Sequence, residues 1–309
     1  PLFRILNHCS MICATKNWVH GLVLTAQDAN GRLTSKRGIQ IMHGSKTFGS
    51  CSAASWIATL AIIAVVPAIS QAADMTAREV TTTLFKARPG IVDLSGRKLT
   101  NLDLSGLDFK KARLAKADLF GADLTDSDLS GTDLAGARLD RTMLTRTRFN
   151  GADLTRATIL RPNIFTSLEV IGTERPDFSK ARMAGTKLAG RFDRVSFAGA
   201  DLSNAVFAAE PRENETLITP RTELTACDFS GAKLQNADLG HNNLGFARFI
   251  NADVRDVSFV EANLEGADFS GADVTGADFT NARIADARFN GATGMNAAKG
   301  LPPIAFNDP

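Results

Sequence analysis

The chain has 309 residues, 44% of them apolar, which suits a protein that builds a packed core and excludes a disordered one. Its formal charge of +2 conceals an asymmetry along the chain. Of four cysteines, Cys9, Cys13 and Cys51 fall in the first sixth of the sequence, so no disulfide framework spans the rest and Cys227 stands alone there.

Residues 1–41 begin with Pro, contain one acidic residue, Asp28, and show no steady period. They read as an upstream extension, non-native or untranslated, with Met42 the true start; an organelle transit peptide is the rival reading, since such segments are basic and poor in acids. Residues 42–72 have the three-part layout of a secretory signal peptide. Lys46 lies near the start, an apolar run follows from Ala53 to Ile69, and small residues end it with cleavage expected after Ala72. Pro67 interrupts the run short of the roughly 20 apolar residues a spanning helix needs, so no stable membrane anchor is expected. Cys51 follows Phe48-Gly49-Ser50, but the apolar run lies after it rather than before, which argues against a lipidated cysteine. The expected location is periplasmic or secreted, with an organelle lumen as the alternative.

Residues 73–90 are expected to form a capping helix. Thr76 and Glu79 make a capping box, Met75 and Val80 a hydrophobic staple, and Arg88-Pro89-Gly90 a stop after Leu84 and Phe85.

From residue 91 an apolar side chain recurs every fifth position. The first run, 91–166, goes from Leu94, Leu99, Leu104 and Phe109 without a gap to Ile159 and Ile164. Residues 167–221 hold Phe178, Met183 and Leu188, then slip by one residue to Phe192, Phe197, Leu202 and Phe207. The last run, 222–291, is again unbroken from Leu224 to Phe289. Two positions before the apolar residue the chain is usually small, as at Ala262, Ala267 and Ala272. Asp, Asn, Arg or Lys often stands between the two, and Ser, Thr or Gly often follows, so each word reads as a short strand-like side and a corner. Fixed-period self-similarity of this kind marks a solenoid.

Sorted by twenties, Phe229, Phe249, Phe269 and Phe289 fall in one column, and Leu224, Leu244, Leu264 and Ile284 in another. The outward residues agree: Asp228, Arg248, Asp268 and Arg288 alternate in sign, as do Lys98, Asp118 and Arg138. Opposite charges on neighbouring strands contribute about 0.2–1 kcal/mol each. Asp108 beneath Asp128 and Asp253 beneath Asp273 are exceptions.

These words resemble the A(D/N)Lxx signature of the pentapeptide repeat family. The resemblance implies an all-β fold, a right-handed quadrilateral β-helix with four words per turn, here with a short N-terminal capping helix. About nine turns at ~4.8 Å each would give a rod roughly 40–45 Å long, whose ends need covering. The repeat is expected to fail at Gly294, and residues 292–309 form a C-terminal cap or tail. Its Leu301, Ile304 and Phe306 either cover the last turn or pair two rods as a homodimer.

Two interruptions, at 165–176 and 208–221, read as loops. Insertions in solenoids sit on the binding face or are tolerated surface features; the second loop supplies the candidate partner-contact residues Glu210, Arg212, Glu213, Glu215 and Arg221.

No catalytic, cofactor-binding or metal-ligating residue is assigned. After Ala72 the only histidine is His241, at an outward corner, and Cys227 occupies a small inward position as a core thiol. The many aspartates lie one to a side and form no cage of six to eight oxygens. Neither Trp lies beyond residue 72 and there is no Tyr, so stacking platforms for bases are missing and direct nucleic-acid binding is not expected. Phe120, Phe165 and Phe246 fall off the inward positions as candidate exposed patches. The leading expectation is a non-enzymatic, exported scaffold that binds another protein. The resemblance also implies a second reading, a cytoplasmic mimic of duplex DNA that binds gyrase. Only residues 222–309, with 6 basic and 12 acidic side chains, have the acidic excess this needs. A β-helix enzyme is the third.

Overall fold

The computed structural model describes residues 21–27, 33–39, 72–86, 91–110, 112–165, 175–208 and 221–301. The chain divides into two compact units, Pro1–Val65 and Val66–Pro309. In the first, β1 (Gly21–Gln27) pairs antiparallel with β2 (Leu33–Ile39), Gly21 opposite Ile39 and Gln27 opposite Leu33. The absence of a steady period between residues 1 and 41 had concealed this pair. The signal-like segment lies outside the described residues except for Ala72, and among the described residues no helix is long and apolar enough to cross a membrane.

The second unit opens with α1 (Ala77–Lys86). Its capping box forms as expected: Glu79 N–H donates to Thr76 Oγ1 at 3.2 Å and Thr76 N–H donates to Glu79 Oε2 at 2.7 Å. Val80 is fully buried, while Met75, Ala77 and Leu84 pack on the core and Phe85 is exposed. Asp74 covers one side of the lower edge of the first turn, donating its N–H to the Lys98 carbonyl at 2.7 Å and accepting the Lys98 N–H on Oδ2 at 2.8 Å. An edge satisfied in this way offers no template for a foreign strand.

Beyond α1 the chain is built almost entirely from single parallel bridges. Only β3 (Val92–Asp93) with β4 (Ala112–Arg113), and β5 (Thr158–Leu160) with β6 (Lys187–Ala189), widen into strands. The outward residues bridge in four series that start at Asp93, Lys98, Asp103 and Asp108, each stepping by twenty in the regular parts. In the regular turns the apolar residue's N–H donates to the outward residue's carbonyl one turn on, as Leu99 to Asp118 at 2.7 Å. The corner residue's N–H commonly donates to the carbonyl of the residue just after the apolar one in the next turn, as Asn101 to Phe120 at 2.8 Å. That corner residue takes a left-handed conformation, φ 56° at Asn101, which favours Gly, Asn and Asp at the last position of the word.

From Val92 to Phe279 the apolar residues at both inward positions are buried, except Leu102 and Leu107, which are half-buried against the core. The phenylalanine column predicted from Phe229 onward runs further back. Phe149, Phe178, Phe197, Phe229, Phe249, Phe269 and Phe289 stack at centroid spacings of 4.6–5.4 Å with rings within 10° of parallel. Each such pair adds about 0.5–1.5 kcal/mol beyond its burial. The stack passes the interruptions because the pairing offset changes. Arg148 bridges Asp177, 29 residues on; Asp177 bridges Ser196, 19 on; and Ser196 bridges Asp228, 32 on. The one-residue slip therefore does not divide the column. It leaves Gly190 as the small inward residue directly after Ala189, its carbonyl accepting the Glu223 N–H at 2.8 Å, with φ 131° and an added Cβ 3.1 Å from Arg161 Cα.

At Gly294 the regular step changes: Asp273 bridges Thr293, 20 residues on, and Asp278 bridges Lys299, 21 on. One boundary differs from expectation. Pro176, assigned to the first interruption, is instead a buried inward residue next to the bridging Asp177. Ile284, Phe289 and Leu301 are half-buried at the C-terminal end, while Ile304 and Phe306 lie outside the described residues.

Candidate functional site

The surface carboxylates turn out to be occupied locally. An outward Asp accepts the backbone N–H two residues on: Ser95 to Asp93 at 2.9 Å, Ser130 to Asp128 at 3.0 Å, Ser270 to Asp268 at 2.9 Å. This hydrogen bond holds the corner and explains why Asp tolerates Asp above it. In both noted exceptions a cation two residues after the lower Asp also reaches the upper one. Lys110 Nζ lies 2.5 Å from Asp128 Oδ2, and Arg255 spans Asp253 at 2.7 Å and Asp273 at 3.7 Å. Burial alone would raise the Asp128 carboxyl, but hydrogen bonds from Lys110, Ser130 and Arg148 hold it well below the usual carboxylate range. Where signs alternate, some neighbours form ion pairs, as Arg138 with Asp118 at 3.0 Å and Arg248 with Asp228 at 3.5 Å.

Several inward polar groups are satisfied as well, although the buried Thr222 Oγ1 has no partner among the described residues. Ser127 Oγ and Thr147 Oγ1 donate to the carbonyls of Leu104 and Leu124, 23 residues earlier, each at 2.8 Å. Cys227 makes the same contact across the second interruption, its thiol donating to the Phe192 carbonyl at 3.0 Å, and burial pushes that thiol up. It is the inert core thiol its position implies. His241 sits at an exposed corner, φ 61°, with Nδ1 3.2 Å from Glu261 Oε2. No serine or cysteine nucleophile approaches it in the hydrogen bonds of the described residues.

One place breaks the pattern. The Asp93, Lys98 and Asp108 ladders run through both interruptions, but in the Asp103 ladder no bridge joins Asn163 to Arg191. The chain leaves this side through the first interruption and, one turn above, enters it through the second. A cleft of about 610 Å³ opens here, lined by Phe165, Arg175, Arg191, Asp193, Arg194, Glu223 and Thr225. The Phe165 ring lies between two guanidinium groups, with Arg175 Cζ 5.2 Å and Arg191 Cζ 5.1 Å from its centroid. Arg175 Nε donates to the Asp193 carbonyl. Arg191 Nη2 lies 3.2 Å from Asp193 Oδ2, and Arg191 bridges Glu223 in the ladder. Thr225 N–H donates to Asp193 Oδ1 at 3.3 Å, and Asn243 Nδ2 donates to Glu223 Oε2 at 2.7 Å.

Of the predicted contact residues, Glu210, Arg212, Glu213 and Glu215 lie outside the described residues. Arg221 is exposed, two residues before the cleft's Glu223. The lining arginines were not singled out from the sequence. The available signal was Arg175 and the off-register Phe165 at the two ends of the first interruption, with Arg191 and Arg194 between it and the second. Of the three off-register phenylalanines, Phe120 and Phe165 are half-buried beneath arginines, and Phe246 is exposed. Their reading as bare patches holds for Phe246 alone.

Among curated proteins none matches the chain. Residues 92–126 and 122–159 match the family model described as pentapeptide repeats (8 copies), and residues 222–297 match the pentapeptide repeat region model. Similar solved structures include HetL, a pentapeptide repeat protein involved in heterocyst differentiation regulation from Nostoc sp. strain PCC 7120. It is 24% identical, with 73% of this chain and 94% of that one covered and a TM-score of 0.28. A pentapeptide repeat protein from Cyanothece 51142, Rfr23, is 19% identical over 38% of this chain and 90% of its own, TM-score 0.30. QnrB1, a plasmid-mediated fluoroquinolone resistance protein, is 15% identical over 58% and 90%, TM-score 0.37. Residues 92–159 and 222–297 thus carry pentapeptide repeats, the two family models matching the segments in which the repeated word and the twenty-residue bridge spacing are found.

Proposed function

We propose that the four ladders wind as a right-handed quadrilateral β-helix and that the protein is a non-enzymatic, exported scaffold that binds another protein. The observation that carries the binding role is the cleft at the one break in the ladders. Elsewhere the outward carboxylates serve corners and ion pairs, whereas this side gathers arginines, an aromatic ring and the boundaries of both interruptions. Arginine and aromatic side chains are the groups most often found carrying interface energy. The signal-like segment 42–72 supports export, to the periplasm or beyond the cell, with an organelle lumen as the alternative.

In-cell photo-crosslinking from position 194, compared with position 141, tests the interaction role. A discrete crosslinked partner from 194 alone is expected, and equal labelling from both positions contradicts it. Fractionation with N-terminal sequencing tests export: a cytoplasmic chain starting near Met42 would sink that part. The acidic excess of residues 222–309 favours a second reading, a duplex-DNA mimic that binds gyrase, and a supercoiling assay with cytoplasmic protein discriminates the two.

A further inference from the structure

The acids and bases of the cleft are not equally committed. Asp193 accepts from Thr225 and Arg191, and Glu223 accepts from Asn243. Arg191 reaches Asp193 only at 3.2 and 3.4 Å, and its side chain is 68% exposed, so most of its donors face solvent. The Arg194 guanidinium, on an exposed residue in the lining, has no hydrogen-bond or ion-pair partner among the described residues. Two cationic forks therefore face an open cleft, and the Phe165 ring holds one of them in place.

We propose that this cleft docks an acidic peptide segment of a partner protein, with Arg194 and Arg191 gripping its Asp or Glu carboxylates and Phe165 packing against its apolar stems. The proposal rests on the interaction role above and specifies the partner's chemistry. A guanidinium fork fits carboxylate and phosphate alike. The fixed charges decide between them. Asp193 and Glu223 line the same cleft and repel a phosphate bearing nearly two charges more strongly than a singly charged carboxylate. An extended acidic segment also places its carboxylates apart, at intervals that can meet the arginines while avoiding the acids.

The test uses the full chain and fluorescein-labelled hexaglutamate, read by anisotropy at low salt, with labelled hexalysine and inorganic phosphate for comparison. Saturable hexaglutamate binding is expected, weakened at least tenfold by Arg194→Glu and by Arg191→Glu and unchanged by Arg141→Glu. Hexalysine should not bind, and equimolar phosphate should not displace the peptide. Circular dichroism checks folding, and Arg194→Gln, which removes only the charge, replaces any variant that unfolds. Binding indifferent to both Arg194 variants, or displacement by equimolar phosphate, overturns the proposal. No hexaglutamate binding while position 194 still crosslinks a partner overturns the acidic-segment proposal and leaves the interaction role standing. Hexaglutamate binding with no crosslinked partner supports the chemistry of the cleft and counts against the interaction role.

Discussion

Asn242 reaches across the second interruption to Phe207: its Nδ2 donates to the Phe207 carbonyl at 2.7 Å, and its Oδ1 accepts the Thr222 N–H at 2.9 Å. It occupies a small inward position that is alanine in many turns, and it is buried. The side chain thus joins the last residue before the insertion to the first inward residue after it.

Asn242→Ala should leave the Thr222 N–H and the Phe207 carbonyl unpaired. A loss of roughly 1–3 kcal/mol is expected by urea denaturation. Alanine at no cost would mean that this contact does not hold the interruption shut.

Phe269 stacks on Phe249 at 4.6 Å and on Phe289 at 5.0 Å with no exposed surface. Phe269→Ala should cost about 3–5 kcal/mol. Ser270→Ala loses only a partly buried hydroxyl bond to Asp268, so about 1 kcal/mol or less is expected. Equal effects in thermal unfolding would refute the inward register.

Gly266 has φ 66°, and an added Cβ would lie 2.7 Å from the Phe246 ring in the turn below. Gly266→Ala should therefore destabilise by about 1–2 kcal/mol from the left-handed backbone alone, with a further part from the ring. In a Phe246→Ala background that further part should disappear. A double-mutant cycle with no coupling would show that the ring moves away freely.

Asp128 titrates below the usual carboxylate range in the folded chain because Lys110, Ser130 and Arg148 outweigh its burial. A depressed folded pKa gives stability that is present above the unfolded value near ~3.9 and is lost as pH falls below it. Denaturation midpoints at pH 7 and pH 3 should differ less in Asp128→Asn than in the parent. An unchanged difference would remove Asp128 from the acid response.

The columns were legible because a five-residue period leaves little choice of inward residue, and Phe229, Phe249 and Phe269 sit one above another as counted. The capping box of Thr76 and Glu79 was legible for the same reason, its partners being three residues apart. The role of Asp was only half legible: alternating charge suggested pairing, but the corner hydrogen bond from residue to residue plus two depends on backbone direction. Asn242 was passed over as a neighbour of His241, because its value depends on which carbonyl lies beneath it. The cleft was hidden for a related reason. Arg191 meets Glu223 only after twelve extra residues are thrown out, and Phe165 meets Arg175 and Arg191 only once their side chains are placed.

Beside the cleft the ladder resumes with Arg191 bridging Glu223, a step of 32 in place of 20, so that pairing is the claim to test. Paired cysteines at 191 and 223 in a Cys227→Ala background should form a disulfide under mild oxidation, since bridged positions fall within disulfide reach. Cysteines at 228 and 248, bridged in the regular part of the ladders, set the oxidation conditions. Mass mapping that finds the 191–223 bond under those conditions supports the account; a 191–223 pair that stays reduced while 228 and 248 join would contradict it.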